Sequence, residues 1–178
     1  MNPQQAASVI QPTGNVSFYT QCDMVRHFTR AFGRTEKSLI ENLTEEEIKL
    51  RKDLVIEELG EFVLAIDRVT VAQSLENKAE LLDAIIDSIY VLMGTAIAFG
   101  LPFDFAFDMV HHANMSKLGP DGAPILREDG KVLKPEGWQP AKLNELLMAV
   151  HKQLSMRDKH QLTGAKSPIQ VVESSSQR

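Results

Sequence analysis

Two short acidic stretches carry the residues best suited to chemistry in this chain. They comprise Glu57, Glu58 and Glu61, and then Glu80, Asp83 and Asp87. Both stretches lie in apolar, helix-compatible sequence. At 100° per residue, Glu58 and Glu61 are about 60° apart on a helix, and the acids of the second stretch fall within about 60° of one another. Carboxylates in such apolar surroundings are costly to bury unless a cation compensates them.

A divalent metal ion is the compensation that these residue types favour. Neither acidic stretch contains a basic residue, and carboxylate oxygens on two facing helices suit Mg²⁺ or Mn²⁺. Such an ion lowers the pKa of a bound water, and two or three ions together neutralise a triphosphate. The pattern therefore predicts two to three ions per site and hydrolysis at a phosphoryl group.

A di-iron centre in a helical bundle is the alternative metal site. That centre uses Glu-x-x-His pairs, with each pair on one helix. Here Glu61 and Asp83 stand where the histidines would be, and His111 and His112 belong to a later segment. The spacing therefore disfavours iron.

The composition is that of a globular, mainly helical protein. The chain has 178 residues, of which 43% are hydrophobic and only 6% aromatic, and a net charge of −5. This length predicts one domain, and the charge argues against nucleic acid as a partner. The single Cys22 excludes an internal disulfide and a thiolate zinc cluster. We expect a cytoplasmic protein without a signal peptide.

Hydrophobic periodicity and capping signals predict about five helices. Their approximate ranges are 17–32, 44–72, 76–99, 102–115 and 140–154. Thr44 and Glu47 form the pattern of a capping box at the start of the second helix, and Gly100 is placed to end the third. Asp129-Gly130 between two short apolar runs predicts a small β-hairpin near 124–134. We expect a flexible lead-in at 1–16, a domain at 17–155 and a disordered tail at 156–178.

The third helix is the most apolar part of the chain. Its segment 84–100 is too short to span a membrane and contains Asp87, so we interpret it as a buried core helix and expect no membrane partner. It carries more apolar surface than one small protomer can cover. This predicts a homodimer or a homotetramer in which helices of neighbouring protomers pack together.

The acidic stretches, with a segment further along the chain, carry a family resemblance. Glu57-Glu58-x-x-Glu61 followed by Glu80-x-x-Asp83 resembles the signature of the MazG-like, all-α nucleoside triphosphate pyrophosphohydrolases. The order of Asn114-x-x-Lys117, Gly-Pro-Asp-Gly and Asp129-Gly-Lys-x-x-Lys134 is similar to a branch found in phages and bacteria. The resemblance spans residues 22–143. It implies a MazG-like helical bundle and cleavage between the α and β phosphates of a nucleoside triphosphate.

The resemblance also implies roles for individual residues. The implied metal ligands are Glu58, Glu61, Glu80 and Asp83, with Glu57 holding a further metal or orienting the attacking water. Glu57, Glu58 and Glu61 would then form the catalytic set. Residues implied to face the phosphates are Asn114, Lys117 and Lys134, with Arg127 and Lys131 as weaker candidates. The roles of Asp87 and Trp138 stay open.

The sequence leaves the substrate and two other function classes open. Similar members act on dUTP, and phage members of the MazZ type act on dGTP and GTP. We favour dGTP or GTP, with a pyrimidine substrate such as dUTP or dCTP as the alternative. A non-catalytic helical module that binds a nucleotide or metal is a second class, and a plain oligomerisation bundle with acids paired across the interface is a third.

Overall fold

The computed structural model describes residues 20–162, with side chains described to residue 159. Five helices form this part of the chain: α1 (Gln21–Ala31), α2 (Glu45–Val71), α3 (Leu75–Ala98), α4 (Phe103–Met115) and α5 (Leu143–Leu162). The predicted all-α class and the number of helices are confirmed. The predicted lead-in at 1–16 lies outside the described residues.

The starts of the helices follow the signals in the sequence. The Thr44 hydroxyl accepts from the Glu47 amide at 3.2 Å, and the Glu47 carboxylate accepts from the Thr44 amide at 2.7 Å, so the predicted capping box is confirmed. Ser74 caps α3. The Asn77 side chain donates to the Ala72 carbonyl at 2.7 Å. This bond and the Ser74 cap fix the tight turn that folds α3 back along α2.

An antiparallel pair formed by α2 and α3 is the main packing unit, and α1 lies against α3. The fully buried centre consists of Cys22, Val25 and Ile97, and Tyr90, Met93 and Phe103 pack around it. Two of these residues come from α1, and the others from α3 and the start of α4. The small core therefore sits at the carboxyl-terminal half of α3 and fixes the position of α1 over that half.

Gly100 ends α3 as predicted. Its backbone adopts the left-handed conformation, with a φ of 64°. A Cβ atom at this position would come within 2.4 Å of the Ser38 backbone. The turn after α3 therefore packs directly on the connection between α1 and α2. Gly60 has no such constraint, since nothing in the described chain lies within 4 Å of a Cβ built there.

The predicted β-hairpin near 124–134 is not formed. Two isolated antiparallel bridges, Leu118 to Pro124 and Leu126 to Val132, replace it, and the described residues contain no strand. The Asp129-Gly130 turn does close, with the Gly130 amide donating to the Arg127 carbonyl at 2.9 Å. Residues 121–134 are exposed on both faces. A two-stranded ribbon with no buried face is only marginally stable, so a regular ladder does not develop.

The last helix is longer than the sequence predicts. It ends at Leu162, whereas we expected the helix to end near residue 154 and a tail to begin at 156. The helix therefore runs seven residues past residue 155, and the domain boundary itself stays a prediction. The remaining part of the predicted tail, 163–178, lies outside the described residues.

The apolar helix α3 is less buried in a single chain than we expected. Leu82 is 60% exposed and Ile86 50% exposed. By length and composition α3 could span a membrane, although core helices of soluble proteins pass the same test, and 33% of its most apolar window is buried in the single chain. In the single chain α3 is thus a partly buried core helix, because a stripe of its large apolar side chains faces outward.

Candidate metal and substrate site

The acids of the two stretches meet in a cleft between α2 and α3, which we call the acidic cleft. Its walls are Glu61, Leu64, Ala65 and Arg68 from α2, and Glu80, Asp83, Ala84 and Asp87 from α3. The cleft has a volume of about 380 Å³. Four of the six acids that the sequence singles out therefore line one cavity.

Small residues bring the two helices close together at this cleft. Ala65 and Ala84 are 3% and 7% exposed, and both lie in its wall. One turn further along α3, the buried Ser88 hydroxyl donates to the Glu58 carbonyl at 3.3 Å. Because α2 and α3 are held together beneath the cleft, their carboxylates stand along its rim rather than inside a packed core.

The carboxylates are more exposed than the sequence suggested. Glu57, Glu61, Glu80, Asp83 and Asp87 are exposed in the single chain, and Glu58 is partly buried. Burial and the nearby carboxylates, Asp87 foremost, raise the pKa of Glu58 above its usual 4.5. A cation beside Glu58 would therefore offset first the cost of its burial and then the repulsion from Asp87 and the other nearby acids.

One predicted metal ligand already has a partner. The Arg68 guanidinium donates to the Glu80 carboxylate at 2.6 Å across the cleft. Both side chains are about half exposed, so the pair is a weak, solvent-screened one. Glu57 does not line the cleft, although it contributes to raising the pKa of Glu58.

The donor set of the cleft fits a hard divalent cation. The side chains that line it offer four carboxylates and no thiolate or imidazole, and oxygen ligands of this kind suit Mg²⁺ or Mn²⁺. In the described side-chain arrangement, however, no three acidic, cysteine or histidine residues are grouped closely enough to hold an ion. The residues fit the metal by their chemistry and by the cleft they share, not as a closed cage.

Three arginines beside these acids were missed by the sequence analysis. Arg68 lines the acidic cleft, and Arg34 and Arg51 line a neighbouring pocket that contains Glu58 and Asp87. A sequence signal existed for two of them. Arg51 precedes Glu58 by seven residues and Arg68 follows Glu61 by seven, a spacing of two turns that places each arginine on the face of its acid.

The residues predicted to face the phosphates form a separate group, which we call the basic segment (114–138). The Lys117 ammonium donates to the Asn114 side chain at 2.7 Å. The ammonium groups of Lys117 and Lys134 lie 5.3 Å and 4.3 Å from the Trp138 ring centre. Trp138 in turn donates to the Ala113 carbonyl at 2.7 Å. The indole therefore gathers both lysines at the end of α4.

The two weaker candidates are placed differently. The Arg127 side chain pairs with Asp129 within the turn, with Nε to Oδ1 at 2.9 Å. Lys131 is exposed, and its backbone amide donates to the same Asp129 carboxylate at 3.1 Å. No described side chain of the basic segment lines the acidic cleft. Within one chain, the structure thus assembles the acids and the lysines separately.

The acidic cleft lies between two antiparallel helices of an all-α chain, and the MazG-like all-α nucleoside triphosphate pyrophosphohydrolases include the family whose sequence profile this chain matches. The sequence profile of the phosphoribosyl-ATP pyrophosphohydrolase family matches residues 25–114. The chain belongs to this family. The match includes all six acids and Arg34, Arg51 and Arg68, and it stops at Asn114, so most of the basic segment lies beyond it.

The chain is also similar to an uncharacterized protein of Acanthamoeba polyphaga mimivirus. The two are 34% identical over 130 residues, which covers 69% of this chain and 47% of the viral protein. The chain thus spans about half the length of that relative. The family is described by its pyrophosphohydrolase activity on phosphoribosyl-ATP, and MazG-like pyrophosphohydrolases generally use divalent metals.

Proposed function

We propose that this protein hydrolyses dGTP and GTP between the α and β phosphates, giving the monophosphate and pyrophosphate with Mg²⁺ or Mn²⁺ as cofactor. The observation that carries the proposal is the acidic cleft, where Glu61, Glu80, Asp83 and Asp87 converge from two helices. Such a site attracts cations and repels a bare triphosphate. The substrate of this cleft is therefore a metal complex of the triphosphate.

In this proposal Glu58, Glu61, Glu80 and Asp83 hold the ions, two to three per site. Bound there, the ions supply a water of lowered pKa and offset the charge of the phosphates. Glu57, exposed beside Glu58, orients the attacking water or holds a further ion. The water oxygen bonds to the α-phosphorus, its proton passes to a carboxylate of the cleft, and the bond to the α–β bridging oxygen breaks to release pyrophosphate.

The basic segment reaches the phosphates from a neighbouring protomer in this proposal. Lys117 and Lys134 stand apart from the acidic cleft of their own chain, and α3 leaves Leu82 and Ile86 uncovered. A homodimer, or a homotetramer built from it, covers this apolar stripe and brings lysines of one protomer to the acids of another. The protein acts in the cytoplasm, or in the host cytoplasm if a phage encodes it.

Phosphoribosyl-ATP is a second candidate substrate, because the family that the chain belongs to is described by that activity. It is also a nucleotide triphosphate and would place its phosphates in the same cleft. Its base is derived from adenine, whereas we favour guanine. The first candidate therefore predicts a preference for guanine, and the second predicts a preference for the adenine-derived base.

The test is a product assay with the purified full chain. The panel contains dGTP, GTP, dATP, dUTP, dCTP and phosphoribosyl-ATP, each with Mg²⁺ or Mn²⁺, and pyrophosphate and orthophosphate are measured separately. We expect pyrophosphate from the guanine nucleotides, and its loss on adding EDTA. Orthophosphate release would contradict cleavage between the α and β phosphates. A preference for phosphoribosyl-ATP, dUTP or dCTP would overturn the substrate, and tight binding without turnover would indicate a non-catalytic nucleotide-binding module.

A further inference from the structure

A second cavity of about 290 Å³ adjoins the acidic cleft between α1, the first half of α2 and the second half of α3. We call it the arginine pocket. Its walls are largely apolar, with the rings of Phe28 and Tyr90 among them, and its cations are Arg34 and Arg51. An apolar, partly aromatic pocket with a few polar groups is the usual form of a small-molecule site.

The two arginines have no carboxylate partner within the described chain. Arg51 is partly buried, and burial together with the charge of Arg34 lowers its pKa. Its Nη1 lies 3.3 Å from where a Cβ atom on Gly94 would stand. The absence of a side chain at Gly94 thus makes the room in which the Arg51 guanidinium sits, with its donors left for a ligand.

The arginine pocket and the acidic cleft are adjacent along α3. Asp87 lines both cavities, and Glu58 lines the arginine pocket. Along α3, Gly94 is seven residues beyond Asp87, which corresponds to about 10 Å at 1.5 Å per residue. This is of the order of the distance between the α-phosphate and the far edge of the base in a nucleotide.

The pocket suits a base better than it suits phosphate. A phosphate would leave the apolar walls unused, whereas a flat ring system would contact them and the rings of Phe28 and Tyr90. A guanidinium carries donors only, in a fixed fork. Guanine offers two neighbouring acceptors, O6 and N7, to such a fork. Adenine has an amino donor in place of O6, and uracil has no acceptor equivalent to N7 beside its O4.

We propose that Arg51, seated against Gly94 and beside Arg34, reads the O6 and N7 edge of a guanine base in the arginine pocket while the triphosphate lies in the acidic cleft. Arg51 is then the residue that sets base specificity. This inference rests on the proposed function for the position of the phosphates. It does not rest on turnover, because binding of the base can be measured without it.

The turnover test compares dGTP, 7-deaza-dGTP and dATP as substrates of the wild type and of Arg51→Gln. Glutamine can donate to and accept from adenine. We expect the ratio of kcat/KM for dGTP to that for dATP to fall about 10-fold to 100-fold in Arg51→Gln, the range of one bidentate base contact. Replacing N7 by carbon should lower kcat/KM in the wild type and change little in the variant.

Two further variants control the comparison. Gly94→Ala pushes the guanidinium by a few tenths of an ångström, and we expect it to lower the same ratio by a smaller factor. Lys52→Gln removes an exposed cation one residue along α2 and should leave the ratio unchanged. Arg51→Gln breaks no ion pair and relieves repulsion from Arg34, so it should fold, which circular dichroism checks.

Calorimetric binding of dGMP and dAMP in EDTA separates this inference from the proposed function. Tighter binding of dGMP by the wild type, lost in Arg51→Gln, supports the base pocket even if no triphosphate is hydrolysed. If pyrophosphate is released but Arg51→Gln weakens all substrates equally, Arg51 contacts phosphate or supports the fold, and the inference is wrong. Equal binding of the two monophosphates by the wild type would also overturn it.

Discussion

The acids that follow α1 and the acids of the α2–α3 cleft are the same residue types in opposite situations. At the connection from α1 to α2, Glu36 accepts from Arg30 at 2.7 Å and from Arg26 at 3.0 Å. Glu41 accepts from the Ser38 amide at 2.8 Å. Hydrogen bonds from Arg30 and from the Ser38 backbone lower the pKa of Glu36 and of Glu41 respectively.

At the acidic cleft and the adjacent Glu58, Arg68 is the one side-chain donor to these acids among the described residues. The pKa of Glu58 is raised, first by burial and then by Asp87 and the other nearby acids. The Arg68–Glu80 pair is the ion pair that the described residues form there. The contrast separates two kinds of acid: those with donors in their own chain stabilise the fold, and those without such donors, as at Glu58, favour a cation from outside the chain.

Neutralising one cleft acid should have the largest effect. In Asp83→Asn, we expect kcat/KM for pyrophosphate release to fall about 1,000-fold, because losing a ligand removes several kcal/mol of charge stabilisation in the transition state. Glu36→Gln is the matched control, since it neutralises an acid that has its own donors. Calorimetric titration with Mn²⁺ should show weaker binding in Asp83→Asn alone. Activity within tenfold of wild type and unchanged Mn²⁺ affinity would remove Asp83 from the metal site.

We propose a neighbouring protomer as a second source of cations for the cleft, and lysine variants test this proposal. We expect Lys117→Ala and Lys134→Ala each to raise KM about 10-fold or more, the loss of one charge-assisted contact to phosphate. Mixing Lys134→Ala with Asp83→Asn should restore activity, to about a quarter of wild type for a freely exchanging dimer. Each mixed dimer then contains one site with intact acids and an intact lysine.

No restoration on mixing would mean that the lysines act within their own chain or not on phosphate at all. Light scattering provides the control, because it shows whether the variants still assemble. A monomer at micromolar concentration would contradict the shared site. Loss of assembly in Asp83→Asn, with unchanged Mn²⁺ binding, would instead favour an oligomerisation bundle in which the acids pair across an interface.

How far the sequence predicts this molecule depends on the range of the interactions involved. The helices, the Thr44–Glu47 box and the stop at Gly100 follow from local signals within a few residues. The cleft was predictable because the 3.6-residue period places each acid on a face. The hairpin near 124–134 was not, since its turn chemistry is local but its stability requires a buried face that it lacks.

Partners that come from distant parts of the chain are the least predictable feature. Arg51 and Arg68 share a face with acids of α2, yet their surroundings depend on what α3 presents opposite them, such as Gly94. How exposed the acids are also depends on how α2 and α3 pack. The apolar sequence around the six acids predicted that they are buried, but most of them are exposed in the single chain. In the proposed assembly, the place where the lysines act depends on a second copy, which one sequence does not encode directly.

The smallest effect that we predict concerns stability, and it has opposite signs for the two kinds of acid. The folded protein lowers the pKa of Glu36, so Glu36 contributes stability above its usual pKa of 4.5 that is lost as the pH falls through the lowered value. Folding raises the pKa of Glu58, so the Glu58 carboxyl binds its proton more tightly in the folded state than in the unfolded state. Glu58 therefore reduces the stability of the folded protein as the pH rises above 4.5. Glu36→Gln should therefore destabilise the protein at pH 7 by roughly 0.5 kcal/mol, a value discounted for solvent screening.

Glu58→Gln should slightly stabilise it at the same pH. Urea unfolding in EDTA from pH 4 to pH 8 measures both changes, and both should shrink toward pH 4. EDTA is needed because a bound cation would reverse the effect of Glu58. Destabilisation by Glu58→Gln at pH 7 would mean that Glu58 has a partner of its own, and the distinction between the two kinds of acid would not hold at that residue.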